Sequence, residues 1–401
     1  MIDLSTDAPA DVKVLVRYFN ERNYNINNNY ATACALMLLS FLKNRNFVYD
    51  NDTFANLYLG VLGATASGKT LMTNKVFKLL KFAGIKAKIS AVESKSAFGR
   101  ELELKESRGV LNLDEFQKYL SNSGHKNAAG HRLGMKRFLL SAYTATSEDE
   151  FQIFSYANKK VNSDIVLHHP FISVFGNTTK NKIEEVFNHE SASDGFLNRF
   201  IFIDGDGHGQ VNLEEMPTED YPIEVRKIVE PYAKDFYQPF KPRKMRVQSE
   251  AMKFINNERL KFHDIKDELE RSVRAREVLN AIKLSMTIAR ATIKLEHVEW
   301  AWQLVQESSK ACFEMLEAGE MNYLKAQVEL GEIKTARSKI IASIKIRQPE
   351  ASKMADIINS TCISKTTVRR HLRLLEQEGI LLKQYQTNPN GGSDISFYKM
   401  S

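Results

Sequence analysis

The stretch Gly63-Ala64-Thr65-Ala66-Ser67-Gly68-Lys69-Thr70 matches the phosphate-binding pattern GxxxxGK[ST] at every fixed position. An apolar run at residues 57–62 leads into it and predicts a buried strand, and residues 71–82 follow with helical spacing. In such a strand–loop–helix unit the glycines let backbone N–H groups turn inward, and the start of the helix adds a dipole that favours anions. The octet therefore predicts a nucleotide phosphate site in an α/β fold.

Each fixed residue of this loop has a predicted role. Gly63, Ser67 and Gly68 would surround the phosphates of a bound ATP through the loop backbone. Lys69 would contact the β- and γ-phosphates, and the Thr70 hydroxyl would bind Mg²⁺. ATP and Mg²⁺ are thus the ligands that the sequence predicts.

Composition limits the class of protein. At 401 residues the chain is long enough for two or three domains. Cys34, Cys312 and Cys362 lie far apart without metal-binding spacing, which indicates a reduced, cytoplasmic protein. The longest apolar stretch, Ala31–Leu42, is too short to span a bilayer and predicts a core helix. Met1–Leu4 lacks the basic start of a signal peptide, and we expect no membrane partner.

Residue patterns divide the chain into four segments. Residues 1–52 have helical patterning, and residues 53–245 alternate short apolar runs with amphipathic stretches, as in a parallel sheet covered by helices. Residues 246–330 are continuously helical in pattern, and residues 333–401 form a basic tail. The predicted strands of the second segment are 57–62, 87–90, 109–113, 171–175 and 200–203.

Two carboxylates follow the apolar run 109–113. Asp114 would hold the Mg²⁺ shell as a metal ligand, and Glu115 would orient and deprotonate the attacking water. A strand that ends in a solvated acidic turn is the alternative interpretation. Because the pair follows the phosphate loop by about 40 residues within one α/β unit, we favour the catalytic interpretation.

Two more polar residues flank later strands. Asn177 follows the run 171–175, at the strand end where ligands bind in open α/β sheets, and could bond both the γ-phosphate and the attacking water. A plain Gly-Asn turn is the alternative. Arg199 precedes the run 200–203, and it is either a solvated edge residue or an arginine that meets the γ-phosphate of a neighbouring subunit.

Four stretches together resemble the AAA+ core of minichromosome-maintenance (MCM) helicases and related phage and plasmid replicative helicases of the P-loop class. They are Gly109–Tyr119, Phe175–Thr178, Phe196–Ile203 and Arg276–Ser285, and the resemblance spans residues 55–315. It implies an α/β fold of the AAA+ P-loop NTPase type, in which helices sandwich a parallel sheet and a helical lid follows.

The resemblance also implies roles for single residues. Asn177 corresponds to the sensor-1 position, Arg199 to the arginine finger, and Arg276 to the sensor-2 arginine, which acts across the subunit interface in MCM-like motors. Gly68 departs from the family, because MCM proteins usually have alanine there. Residues 1–52 are also too short for the MCM DNA-binding collar. The match is therefore to the type of motor and not to the replication protein itself.

Residues 151–167 have the pattern of a hairpin. Alternating apolar residues flank an Ala-Asn-Lys-Lys tip that contains Lys159 and Lys160. In MCM-like motors a hairpin just before sensor 1 points into the central pore, and the resemblance implies that one of these lysines touches the DNA backbone. The alternative is an exposed hairpin whose lysines keep a sheet edge soluble.

The basic tail predicts a winged-helix domain. It holds twelve Lys and Arg against five Asp and Glu, so its net charge of +7 equals that of the whole chain. The predicted elements are helices at 335–346, 352–358 and 365–377, then strands at 380–386 and 395–400 around a wing. This location of the charge favours nucleic acid as the partner.

The third predicted helix of the tail has two faces. Val368, Leu372 and Leu375 supply the buried face. Lys365, Thr366, Arg369, Arg370 and Arg373 line the outer face, where a helix in the major groove needs its hydrogen-bond donors. The alternative is a winged helix that contacts protein and has a merely solvated basic face.

Together these features predict an ATP-dependent, ring-forming DNA helicase or translocase, for replication of a mobile element such as a phage, plasmid or satellite. Its partners would be single-stranded DNA in the pore, duplex DNA at the winged helix, and further copies of the chain in a homo-oligomer, a hexameric ring. The alternatives are a DNA-binding regulator controlled by ATP and an AAA+ transposition or packaging factor without unwinding activity.

Overall fold

A computed structural model of the chain describes most of its length. The described residues are 3–64, 67–90, 94–117, 130–154, 164–184, 195–205, 209–217, 221–266, 268–274, 276–329, 335–348, 350–361, 363–386 and 395–400. They fall into two compact units, Met1–Met315 and Leu316–Ser401.

The first unit contains helices and strands in alternation. Its helices are α1 (Ala10–Glu21), α2 (Asn28–Lys43), α3 (Lys69–Phe82), α4 (Lys95–Glu103), α5 (Gly130–Ala142), α6 (Lys180–Glu184), α7 (Ile223–Asp235), α8 (Ser249–Lys261), α9 (Glu268–Arg274), α10 (Glu277–Ile288) and α11 (Leu295–Glu329), the last of which continues into the second unit. Its strands are β1 (Asn25–Ile26), β2 (Phe47–Val48), β3 (Tyr58–Leu62), β4 (Lys88–Ser90), β5 (Arg108–Asp114), β6 (Phe151–Phe154), β7 (Ile165–Leu167), β8 (Phe171–Thr178), β9 (Phe200–Asp204), β10 (Gln210–Val211), β11 (Arg243–Lys244), β12 (Arg246–Val247) and β13 (Thr292–Ile293).

A five-stranded parallel sheet in the order β4-β5-β8-β3-β9 forms the centre of this unit. Its strands are the five that the apolar runs predict, so the α/β class and the parallel sheet flanked by helices are confirmed. Strand β8 runs three residues further than predicted, to Thr178, because it keeps pairing with β5 on one side and β3 on the other. Asn177 therefore lies inside a strand and not in a turn after it.

Helix α2 is the core helix that the apolar stretch predicts. Every residue from Asn29 to Lys43 is buried, and the helix packs on α1, α3 and the sheet. Asn27 caps its start by accepting a hydrogen bond from the Tyr30 N–H at 3.0 Å. None of the helices in the described ranges combines the length and apolar character needed to cross a bilayer.

The helical region after residue 246 is less continuous than predicted. It divides into α8, α9, α10 and α11, with the short strand β13 between the last two. Helix α10 ends at Ile288 because Ala289 adopts extended backbone angles, and buried Ile293 then pairs with Val247 of β12.

The second unit is a small α+β fold with its own apolar core. Helices α12 (Ala336–Lys345), α13 (Met354–Thr361) and α14 (Lys365–Gln377) pack on an antiparallel sheet of β14 (Ser352–Lys353), β16 (Ile395–Met400) and β15 (Leu381–Gln386). The prediction of a helix beginning at Ser352 is wrong. Ser352 and Lys353 pair with β16 as a strand, and the helix starts two residues later and runs to Thr361.

Candidate functional site

The carboxyl ends of β3, β5 and β8 form one edge of the sheet, which we call the carboxyl edge. Strand β8 lies between the other two, and its Asn177 is in register with Val61 of β3 and with Asp114 of β5. Since neighbouring strands lie about 4.8 Å apart, this register brings the phosphate loop, Asn177 and Asp114 side by side. The sequence predicts these residues separately, and the sheet brings them together.

The described part of the phosphate loop surrounds the Lys69 amine. Gly68 has φ +82°, which favours glycine, and α3 begins at the next residue. The Lys69 Nζ donates to the carbonyl oxygens of Gly63 at 2.7 Å and Ala64 at 2.5 Å. Burial lowers the pKa of Lys69, and the charge of Asp114 partly opposes this shift. The acceptors are neutral, so an anionic phosphate would solvate this ammonium better than they do.

The side chains of Thr70 and Ser67, three residues apart, differ in their exposure to solvent. Thr70, the predicted Mg²⁺ ligand, is exposed on the first turn of α3. Ser67 is buried, and its hydroxyl donates to the Ala64 carbonyl at 2.8 Å. Thr70 is therefore accessible to a ligand, whereas Ser67 holds the loop from inside.

Among the described residues, none donates a hydrogen bond to the buried Oδ1 of Asn177. Its side chain is 4 % exposed, and its Nδ2 donates to the Thr73 hydroxyl at 3.3 Å. Thr73 Oγ1 in turn donates to the Lys69 carbonyl at 2.9 Å, which fixes the amide against α3. The Asn177 Oδ1 is buried and has no hydrogen-bond partner within the described residues. A buried acceptor left without a donor is costly, so this position suits a water or hydroxyl donor at the carboxyl edge.

Thr178 connects the phosphate loop to the segment that follows the carboxylate pair, a role that the sequence does not predict. Its carbonyl accepts the Gly63 N–H at 3.0 Å, and its hydroxyl donates to Gln117 Oε1 at 2.6 Å. Gln117 follows the carboxylate pair by two residues, so Thr178 ties the phosphate loop to the carboxylate segment. A threonine at a strand end has no distinctive sequence signal, and only the register of β8 reveals this role.

Glu115 has an unusual backbone conformation. Its φ is +60°, a region that costs non-glycine residues energy and occurs often at functional sites. Its side chain is half exposed, and the Lys182 Nζ of α6 lies 3.8 Å from its Oε1. The next residue, Phe116, is buried against Gly176, where a Cβ would lie 2.8 Å from the ring. The packing of Phe116 thus fixes the turn that directs Glu115, and Lys182 is a neighbour that the sequence analysis missed.

Arg199 lies at the opposite edge of the same sheet. It ends a 3-10 turn, Leu197–Arg199, just before β9, whose Phe200 is in register with Tyr58 at the start of β3. The length of β3 therefore separates it from the phosphate loop of its own chain, about 15 Å at the usual rise per residue. Its Nη1 donates to the Gly195 carbonyl at 2.5 Å. The structure does not bring Arg199 to the Lys69 of the same chain.

Arg276 and Arg199 influence the same two buried side chains. Arg276 directly precedes α10, and the charges of both arginines act on the buried side chains of Tyr143 and Lys283. Lys283 is 1 % exposed, and its Nζ donates to Asn56 Oδ1 at 2.5 Å and to the Tyr143 carbonyl at 3.1 Å. Burial, followed by repulsion from the two arginines, lowers the pKa of Lys283 well below its ordinary value. Neither of these two acceptors is a carboxylate. The sequence alone does not predict that the Lys283 amine is buried in this way.

A buried amide connects the two arginine segments. The Tyr143 hydroxyl donates to Asn280 Oδ1 at 2.6 Å, and the Asn280 Nδ2 donates to the Asn198 carbonyl at 3.3 Å. Asn280 lies on α10 one turn after Arg276, and Asn198 directly precedes Arg199. Asn280 therefore ties the start of α10 to the turn that carries Arg199.

The basic helix α14 has the two faces that its sequence predicts. Val368, Leu372 and Leu375 are buried, and Ser364 caps the helix by accepting the Thr367 N–H at 3.4 Å. The basic residues of the outer face are all exposed and, within the described part of the chain, form no ion pair; they are Lys365, Arg369, Arg370 and Arg373.

The predicted hairpin is described only in part. Strands β6 and β7 pair antiparallel, with Phe151 opposite Leu167, as the alternating pattern predicts. Lys159 and Lys160 at its predicted tip lie outside the described residues.

Comparison with known proteins adds no assignment. No protein-family model matches the chain, and no curated protein matches it.

Proposed function

We propose that the chain is an AAA+ ATPase that acts on DNA, as a ring-forming helicase or translocase of a mobile element. The observation that carries the proposal is the position of β8, whose Asn177 lies between the phosphate-loop strand and the carboxylate strand. This arrangement suits a side chain that senses the γ-phosphate while the carboxylates act on Mg²⁺ and water. The sequence resemblance to MCM-like motors supports the same assignment.

The residues of the carboxyl edge divide the chemistry of ATP hydrolysis between them. Lys69 neutralises negative charge on the transferred phosphoryl group, and Asn177 orients the attacking water through its Oδ1, which no described residue bonds. Glu115 accepts the proton of that water, and its half-exposed carboxylate remains accessible from the edge. Mg²⁺, held by Thr70 and Asp114, would neutralise charge on the phosphate oxygens.

Arg199 and Arg276 complete the site of a neighbouring subunit in this proposal. They lie together at the edge of the sheet opposite the phosphate loop, so a head-to-tail arrangement of copies would bring them to the next nucleotide. A guanidinium there would stabilise charge that develops on the γ-phosphate. Repetition of this heterologous contact with closure gives a ring, and the resemblance to MCM-like motors suggests six subunits.

The second unit supplies the duplex contact in this proposal. Three helices, a three-stranded antiparallel sheet and the exposed face of α14 suit a winged helix that enters a major groove. The four basic side chains of that face would contact phosphates and base edges. Lys159 or Lys160 would contact the single strand during translocation.

A regulator that binds DNA under ATP control, without unwinding, is the second candidate. The exposed basic face of α14 supports it equally, because duplex binding by this face needs no motor.

Strand displacement on forked DNA, together with the mass of the assembly with and without ATP, tests the proposal. We expect ATP-dependent displacement by a closed oligomer, and loss of displacement in the Lys69→Ala protein. The double variant Lys159→Ala with Lys160→Ala should hydrolyse ATP and bind duplex but not unwind it. ATP hydrolysis by a dimer or open filament without strand separation would instead support the regulator.

A further inference from the structure

Tyr30 reaches the phosphate loop from the N-terminal segment. It lies on the first turn of α2, is 2 % exposed, and its hydroxyl donates to the Leu62 carbonyl at 2.9 Å. The Ser67 Oγ lies 3.4 Å from the same hydroxyl oxygen. Leu62 directly precedes the octet and Ser67 lies near its far end, so one hydroxyl links both ends of the loop.

Gly63 and Gly205 leave the space that the Tyr30 side chain occupies. A Cβ at Gly63 would overlap the Tyr30 hydroxyl, and a Cβ at Gly205 would overlap the ring itself. Gly63 and Gly205 follow Leu62 and Asp204, which are in register on β3 and β9. The ring therefore fills the space between the ends of two neighbouring strands, and the first glycine of the octet makes room for it.

Asparagines of the same segment hold the ring in this place. Asn27, the cap of α2, donates to the Gly205 carbonyl, and Asn29 donates to the Asp204 carbonyl at 2.9 Å. Asn23 is fully buried and lies against Gly68, where a Cβ would come within 2.6 Å of its Nδ2. Residues 23–30 thus contact the loop at Gly63, Ser67 and Gly68.

We propose that Tyr30 is a positioning residue of the phosphate site and that residues 23–30 form a clamp which sets the affinity of the loop for phosphate. This proposal rests on nucleotide binding by the octet. The hydroxyl supports the loop backbone and has no part in recognising a base. Its loss should therefore weaken the binding of every polyphosphate to the same degree.

The hydroxyl keeps its proton for this role. Burial raises the pKa of Tyr30 above its ordinary value, and Asp204 acts in the same direction, whereas the bond with Ser67 opposes them. The phenol therefore donates to the Leu62 carbonyl at any pH at which the protein would be assayed.

Binding of Mg-ATP and of inorganic tripolyphosphate to the full chain tests the clamp. In the Tyr30→Phe protein we expect both affinities to fall by roughly three- to tenfold, as the loss of one buried hydrogen bond predicts. Tyr58→Phe is the matched control, because Tyr58 is equally buried and donates to the Leu139 carbonyl at 2.8 Å. Both variants should lose similar thermal stability without ligand, but Tyr58→Phe should bind both ligands as the wild type does.

The outcomes separate the clamp from the proposed function. Equal affinities for Tyr30→Phe and wild type would overturn the clamp alone, and so would a loss confined to ATP. Wild-type protein that binds neither ligand would overturn nucleotide binding, and the clamp would fall with it.

A double-variant cycle tests the steric part of the proposal. Gly63→Ala should weaken tripolyphosphate binding by at least about tenfold in the wild-type background. In a Tyr30→Ala background, where the ring no longer occupies the space, the further loss from Gly63→Ala should fall below about threefold. Equal losses in the two backgrounds would show that Tyr30 does not determine the glycine at this position.

Discussion

The carboxyl edge and the basic face of α14 obtain their arrangement in different ways. At the edge, Lys69, Asp114 and Asn177 come from three separate strand ends, and the parallel register brings them together. On α14, residues from Lys365 to Arg373 share a face because one helix repeats every 3.6 residues. The edge combines the buried Asn177 with the exposed Asp114, whereas the basic residues of the helix face are all exposed.

This difference predicts how each region responds to substitution. In the proposed function, groups at the edge act on one reacting phosphate, so the loss of one of them should cost orders of magnitude in rate. In the same proposal, charges on the helix face act additively on many DNA phosphates, so each should contribute a small and salt-dependent amount.

Arg199→Ala should lower kcat for ATP by about 10³- to 10⁵-fold while ATP binding persists, because an arginine finger acts on the transition state. Steady-state hydrolysis and equilibrium nucleotide binding measure the two effects. The exposed Arg243, which pairs with Asp235, is the control, and Arg243→Ala should leave kcat unchanged. Mixing Arg199→Ala with Lys69→Ala subunits should restore part of the activity. Absence of recovery in rings shown to be mixed would contradict action across the interface.

Glu115→Gln should lower kcat by about 10²- to 10⁴-fold and leave ATP bound, because the amide cannot accept a proton from water. Single-turnover hydrolysis and retention of labelled ATP measure this. Glu224, an exposed carboxylate bonded to Arg17, offers Glu224→Gln as the control, for which we expect wild-type turnover. Normal turnover by the Glu115→Gln protein would exclude Glu115 as the base.

Asn280→Leu should lower kcat by about tenfold with little change in KM, because it releases the Arg199 turn from α10 and leaves the Tyr143 hydroxyl without its acceptor. Tyr143→Phe removes only one of the two bonds and should lower kcat by less. Kinetics on both variants, with their melting temperatures, separate positioning from general destabilisation. A lower melting temperature with unchanged kcat would give Asn280 a structural role only.

Arg369→Ala with Arg370→Ala should have the smallest effect. Each lost phosphate contact should reduce the slope of log K against log salt for duplex binding by about 0.9, and ATP turnover without DNA should not change. Binding isotherms across a salt series measure the slope. Arg337→Ala with Arg347→Ala is the charge-matched control, because it also removes two arginines of this unit, which pair with Glu378 and Asp356. An unchanged slope in the double variant would make this unit a protein-contact module.

The sequence predicts the elements of the fold better than the contacts between them. The five strands follow from short apolar runs, and the third helix of the tail follows from its cap Ser364 and its apolar spacing. The predicted end of β8 and the predicted start of α13 were wrong, because pairing with neighbouring strands determines where these elements end and begin. Pairing of this kind is tertiary and leaves no local pattern.

The residues of the candidate site show the same limit. The fixed positions of the octet and Asp114 could be found from motif and spacing alone, because the pattern itself carries their chemistry. Tyr30 and Thr178 could not, since each contacts the loop from a distant part of the chain. Lys283, by contrast, is a charged residue within the apolar helix α10, and this pattern is a sequence signal for a buried amine.

Equilibrium binding of Mg-ATP to the full chain and to its Lys69→Ala variant decides whether the carboxyl edge is a nucleotide site. We expect the wild type to bind in the range of about 1 μM to 1 mM that is usual for enzyme substrates. The variant should bind at least about tenfold more weakly, because it loses the ammonium that the Gly63 and Ala64 carbonyls hold in the loop. Wild-type protein that does not bind ATP, or equal binding by the two proteins, would contradict the assignment of the carboxyl edge as a nucleotide site.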